Sequence, residues 1–150
     1  MTRSSNAAWL VLLGALLGAP ACRSAPLPAA ADPLAAPAIA WRTAPSAAGT
    51  WQVSWRPELE PIPFGEPCAL EVRVLGADGG AAPADLQLRV DAGMPAHGHG
   101  TLRRAQVIGL DPGRFRVEGL YLHMPGSWSL FLDVGRAGVF ERAGFEFEAD

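Results

Sequence analysis

From about residue 50 onward, apolar and polar side chains alternate in short runs that are separated by Gly, Pro and Asp. In the first run, Trp51, Val53 and Trp55 share one face, because successive side chains of an extended strand point to opposite sides. The same pattern predicts strands at residues 50–56, 68–75, 86–90, 103–108, 114–118, 128–134 and 139–148. No helical apolar stripe of useful length follows residue 50. We therefore expect an all-β fold, an immunoglobulin-like antiparallel β-sandwich of about seven strands.

The first 22 residues have the features of a signal peptide with a lipobox-like end. Arg3 supplies the positive charge, residues 7–17 (AAWLVLLGALL) form the apolar stretch, and small residues precede Cys22. This segment resembles a bacterial lipoprotein signal, in which cleavage leaves the cysteine at the new N-terminus to carry lipid. Such signals usually have Leu where this chain has Ala19, so ordinary export with cleavage near Ala21 is the alternative. Either route places the protein in the periplasm or cell envelope.

Residues 23–49 are dominated by Ala and Pro and show no sustained periodicity. Frequent proline prevents a helix and keeps such a segment extended, so we interpret residues 23–49 as a linker. Residues 50–150 have the usual size of one domain with a single core.

The charge balance of the chain limits the classes of partner that it is expected to bind. The chain has 12 basic and 15 acidic residues, a net charge of -3, and no basic run. Nucleic-acid binding depends on clustered Lys and Arg that neutralise phosphates, so no nucleic-acid partner is expected. Contact with a membrane is expected only through lipid on Cys22.

All three histidines, and every methionine except the initiator, fall in two segments, residues 94–100 (MPAHGHG) and 123–126 (HMPG). Thioether sulfur is soft and selects Cu(I), while imidazole binds either oxidation state of copper. Zn(II) gains little from thioether, so the pairing of Met with His favours Cu(I). The candidate metal ligands are His97, His99, His123, Met94 and Met124.

The second segment has a geometric constraint. If residues 120–124 are extended, Leu120, Leu122 and Met124 face one side and Tyr121 and His123 face the other. His123 is then favoured as a ligand over Met124, so His97, His99 and His123 are the expected core ligands. Both segments lie at strand ends, and periodicity does not determine whether they share the same end of the sandwich.

Three stretches together, 94–100 (MPAHGHG), 113–120 (GRFRVEGL) and 123–130 (HMPGSWSL), resemble the YtkA-like domains of exported bacterial proteins. The resemblance covers roughly residues 60 to 148. These domains are small β-sandwiches related in appearance to FixH proteins, which assist copper-containing respiratory oxidases. The resemblance implies an envelope domain with a copper role and a copper-accepting envelope protein as partner. The pairing of Met and His is also similar to that of periplasmic copper chaperones, but here His123 and Met124 are adjacent instead of one residue apart.

The sequence gives little support for a catalytic function, because it contains no nucleophile elbow, no His-Glu-x-x-His pair and no phosphate loop. A zinc hydrolase that uses the three histidines would leave the methionines idle. The main rival is a metal-free β-sandwich module of the envelope that binds a protein partner. Cys68 and Trp128 are interpreted as core residues, since each shares the apolar face of its strand.

Overall fold

The computed structural model describes residues 38–150. The predicted signal peptide, the lipidation site Cys22 and the linker up to residue 37 lie outside the described residues. Within residues 38–150 there are nine strands and one 3₁₀ turn, and no helix has the length and apolar character needed to cross a membrane. The strands are β1 (Arg42–Pro45), β2 (Trp51–Pro57), β3 (Pro67–Gly76), β4 (Gln87–Met94), β5 (His99–Gly100), β6 (Gln106–Asp111), β7 (Arg114–Tyr121), β8 (Gly126–Arg136) and β9 (Val139–Ala149).

The strands form two antiparallel sheets. One has the order β1-β2-β3-β7-β6 and the other β5-β4-β8-β9. Without the short strands β1 and β5, the remaining seven follow the order of an immunoglobulin constant-type domain, four strands in one sheet and three in the other. These seven correspond to the seven strands that the alternation predicts. The all-β sandwich is therefore confirmed.

The core lies between the two sheets and is built by the alternation. Val53 and Trp55 of β2 are fully buried, and so are Trp128, Leu130 and Leu132 of β8. The Trp55 ring contacts the other sheet edge-on, with its centroid 6.1 Å from that of Phe145 and 5.6 Å from that of Phe147. Edge-to-face pairs at this spacing stabilise aromatic cores beyond the area they bury.

One strand of the sheet comes before residue 50. Strand β1 lies inside residues 23–49, which the sequence assigns to the linker, yet it pairs with β2 from Arg42 opposite Trp55 to Pro45 opposite Gln52. The side-chain alternation does not predict β1, because a four-residue edge strand that tolerates proline shows little alternation. Trp41 strengthens the attachment, since the guanidinium carbons of Arg56 and Arg73 lie 4.7 and 4.0 Å from the centre of its ring.

The turn between β1 and β2 is fastened to the opposite sheet through Glu141 of β9. The Ser46 hydroxyl donates to the Glu141 carboxylate at 2.6 Å, and the Thr50 hydroxyl donates to the same carboxylate. These hydroxyl hydrogen bonds lower the pKa of Glu141 below its ordinary value. Residues ahead of position 50 therefore contact both sheets.

Removal of residues 36–49 is expected to lower stability without abolishing the fold. A chain of residues 50–150 loses the β1 pairing, the stacking of two arginines on Trp41 and the Ser46 contact, together roughly 2 kcal/mol. Thermal unfolding followed by circular dichroism compares it with a chain of residues 36–150. We expect strand-type spectra for both and a lower midpoint for the shorter chain. Equal midpoints would mean that residues 42–45 do not stabilise the domain and belong to the linker.

Candidate metal centre

The first His/Met segment is a tight turn at the end of β4. After Met94, residues Pro95–His97 form one 3₁₀ turn, and the Gly98 amide donates to the Met94 carbonyl at 3.0 Å. Gly98 then adopts the left-handed conformation, with φ of 69°, which glycine takes without steric cost. This reversal brings His99 back opposite Met94 as strand β5.

The second segment joins β7 to β8 and is held by Trp128. The indole Nε1 of this buried tryptophan donates to the Met124 carbonyl at 3.0 Å, which fixes the backbone of the connection. Gly126 has φ of 114°, and a Cβ added there would lie 3.6 Å from Cε of Met94. The first methionine therefore packs against the backbone of the second segment.

The two segments meet at the same end of the sandwich, which periodicity had left open. The ring centroids of His97 and His99 are 5.6 Å apart, and those of His99 and His123 are 5.0 Å apart. The His123 ring in turn packs edge-on against Trp128, with centroids 5.5 Å apart. The structure thus brings all three predicted histidines into one row of rings.

His123 has an unusual environment for an imidazole. Its Nδ1 is buried and has no hydrogen-bond partner among the described residues. A buried polar atom without a partner costs roughly 1 to 3 kcal/mol, so such atoms normally have a bonding partner. By contrast, the His97 and His99 residues are exposed.

The methionines differ from each other. Met94 is only 3% exposed and belongs to the core, whereas Met124 is half-buried and packs against the core's edge. Leu120 and Leu122 are buried, while Tyr121 and His123 are half-buried, as the alternation predicts. Met94 is therefore the methionine that the fold holds in a fixed position beside a histidine.

The three histidines do not by themselves form a metal-binding group, and no carboxylate or thiolate within the described residues joins them. Within residues 38–150, no group of three or more His, Cys, Asp or Glu side chains is arranged to hold a metal ion. Asp91 accepts a hydrogen bond from the Ala92 amide, and Glu118 accepts one from Arg116. Neither carboxylate orients a histidine in this structure.

Cys68 is a core residue and no part of the centre. Its thiol donates to the Leu120 carbonyl at 3.4 Å, and burial raises its pKa to about 11. Since the thiolate is the form that binds metals, this thiol is a poor ligand at neutral pH.

Trp128 has a role beyond the core position that the sequence assigns to it. Besides filling the interior, it anchors the Met124 carbonyl and supports one face of His123. The HMPGSW spacing contains these residues, but the hydrogen bond depends on a turn that alternation does not describe.

Comparisons with known proteins leave the family open. The chain matches no protein-family profile and no curated protein, so the resemblance to YtkA-like domains is not confirmed. Among solved structures, a DUF4426 family protein from Pseudomonas aeruginosa PAO1 is similar at 11% identity and a TM-score of 0.49, over 72% of this chain and 93% of that one. FetP of uropathogenic E. coli strain F11, expressed recombinantly in the periplasm of E. coli, is similar at 9% identity and a TM-score of 0.45, over 73% of this chain and 94% of that one. At sequence identities this low, the roles of residues in those proteins cannot be assigned to residues of this chain.

Proposed function

We propose that this protein is an exported envelope protein that binds one Cu(I) at the end of the sandwich where the two His/Met segments meet. It carries, buffers or delivers the ion and is not an enzyme. The observation that carries the proposal is the meeting of His99 and His123, from segments far apart in the sequence, at a centroid distance of 5.0 Å. The buried, unpartnered Nδ1 of His123 supports it.

The ring spacing fits two imidazoles on one ion. Imidazole nitrogens bind such metals at about 2.0 Å, which places the centroids of two ligating rings about 5 to 6 Å apart. Both neighbouring pairs in the row of histidines have this spacing. His99 and His123 are the best pair, because they join the two segments and because, of the three histidines, His123 is the one with a buried ring nitrogen that has no partner within the described residues.

Met94 is the third ligand that we assign. It lies opposite His99 in the β4–β5 pairing, and its methyl group lies against Gly126, two residues beyond Met124. Because Met94 is buried, solvent does not compete with the ion for its sulfur. His97, exposed beside His99, is positioned to capture the ion first, and Met124 is the least fixed of the five candidates.

Soft sulfur next to imidazole favours Cu(I) over Zn(II). The likeness of the motifs to YtkA-like domains points the same way, and it implies a copper-accepting envelope protein, respiratory oxidase assembly included. Attachment to the membrane through lipid on Cys22, with residues 23–37 as part of the spacer, is the matching proposal for location.

Copper binding is tested by competition between the chain without its first 22 residues and a Cu(I) chelator. We expect one Cu(I) per chain, bound more tightly than Zn(II). His99→Ala and His123→Ala should each weaken binding at least tenfold, about 1.4 kcal/mol.

The same titration ranks the remaining ligands. Met94→Leu and Met124→Leu are a matched pair, since leucine conserves volume and removes only the sulfur. The first should weaken Cu(I) binding and the second should have the smaller effect, while His97→Ala should be intermediate. If the unaltered chain does not compete for Cu(I), or if all five variants bind as it does, the metal-free partner-binding module replaces the copper proposal.

The location is tested on the protein recovered from bacterial membranes. We expect mass spectrometry to find a mature chain that begins at Cys22 and carries lipid, because small residues precede this cysteine and a spacer follows it. Cys22→Ser should release the protein in soluble form. An unmodified N-terminus at another residue would exclude the lipid anchor.

A further inference from the structure

A cleft of about 780 Å³ opens on one side of the sandwich, and none of the candidate metal ligands lines it. It lies between β4, whose outer neighbour β5 is only two residues long, and β6, at the edge of the other sheet. Leu88 to Asp91 form one wall, and residues 101–105, which lead from β5 to β6, form the rim. Its function is not covered by the copper proposal.

The backbone of β4 is unpaired where it borders this cleft. On one side β4 pairs with β8 from Gln87 to Gly93. On the other side β5 covers only Gly93 and Met94, and the Thr101 amide reaches the Ala92 carbonyl. The backbone N–H and C=O groups of alternate residues within 87–91, which point away from β8, therefore have no strand partner within the described residues. A free edge of this kind is a template for an added strand.

The rim of the cleft is basic. Arg89, Arg103 and Arg104 line it, against a single carboxylate, that of Asp91. Within residues 38–150, none of these arginines lies in an ion pair, although six other arginines do. The chain has no lysine, so every basic side chain is an arginine, the residue best shaped to bind carboxylates with two hydrogen bonds.

Two of the arginines are already held in place. The Arg89 guanidinium lies 3.7 Å from the centre of the Phe140 ring, and that of Arg103 lies 5.3 Å from the centre of Tyr121. Stacking of this kind leaves the N–H groups at the edge of the guanidinium free for a ligand. Leu102, next to Arg103 on the rim, is 73% exposed and offers an apolar contact.

We propose that the cleft binds an extended acidic segment of a partner protein, which pairs with the free edge of β4 and places its carboxylates on Arg103 and Arg104. The basic rim of the cleft favours a partner segment that is acidic. The unpaired backbone of β4 favours a segment that is extended. A flat anionic membrane satisfies the arginines but leaves the backbone edge and the cleft walls unused. Because residues 101–105 continue directly from His99 and Gly100, the partner segment lies beside the candidate metal centre.

The probe is a short fluorescent peptide in which Glu alternates with Val or Thr, and the control peptide has Gln in place of every Glu. Fluorescence anisotropy with the full chain, in the presence of a metal chelator, makes the result independent of copper binding. The acidic peptide should bind at least tenfold more tightly than the control peptide. Equal binding of the two peptides, or no binding, overturns the proposal.

Variants locate the binding surface. The double variant Arg103→Gln/Arg104→Gln should weaken binding of the acidic peptide at least tenfold. The control Arg114→Gln/Arg136→Gln has the same change in charge at exposed positions outside the cleft and should bind as the unaltered chain does. If both double variants weaken binding equally, the attraction is one of net charge alone, and the cleft has no special role.

Hydrogen exchange tests the added strand. The bound acidic peptide should slow amide exchange in residues 87–91, and protection absent from this stretch overturns the pairing with β4. Vesicles of phosphatidylglycerol and phosphatidylcholine distinguish the remaining source of negative charge. If the chain binds these vesicles through Arg103 and Arg104 and does not bind the peptide, the cleft faces a membrane and the proposal is wrong.

Discussion

The antiparallel pairing of β4 with β8 is the constraint on which the candidate metal centre depends. It places Gly93 opposite Ser129, so the end of β4 and the beginning of β8 lie side by side. The first segment of His and Met residues leaves the sheet at the end of β4, and the second enters it at the start of β8. A shift of this register would separate His99 from His123 even if every strand were kept.

The interior side chains then fix the details of the centre. Trp128 is fully buried, and its indole both anchors the Met124 carbonyl and supports the His123 ring. Met94 is buried, and its methyl group lies against Gly126. The contact with Trp128 holds the His123 ring in place, which lowers the cost of ordering this ligand when an ion binds. Within the described residues, the buried side-chain atoms without a hydrogen-bond partner are Nη1 of Arg42, Nε1 of Trp55 and Nδ1 of His123, and only the last lies at the candidate metal centre.

Much of the fold and part of the candidate metal centre could be predicted from the sequence, because the alternation of side chains follows their burial. It gives seven of the nine strands found in residues 38–150, the inward direction of Trp55 and Trp128, and the separation of His123 from Leu122. It misses β1 and β5, because strands of four and two residues are too short to show a period. It also gives the face on which a side chain lies but not the end of the sandwich at which two loops meet. That meeting depends on long-range strand pairing, as does the basic cleft beside β4.

Side-chain NMR determines whether His99 and His123 bind the same ion. A long-range ¹H–¹⁵N spectrum of the ¹⁵N-labelled chain resolves the ring nitrogens of three histidines, and it is recorded before and after addition of Cu(I). If both residues bind one ion, the ring nitrogens of His99 and His123 shift together and the shifts saturate at one Cu(I) per chain. Shifts confined to the exposed His97, or no shifts at all, would contradict the binding of one ion by both residues.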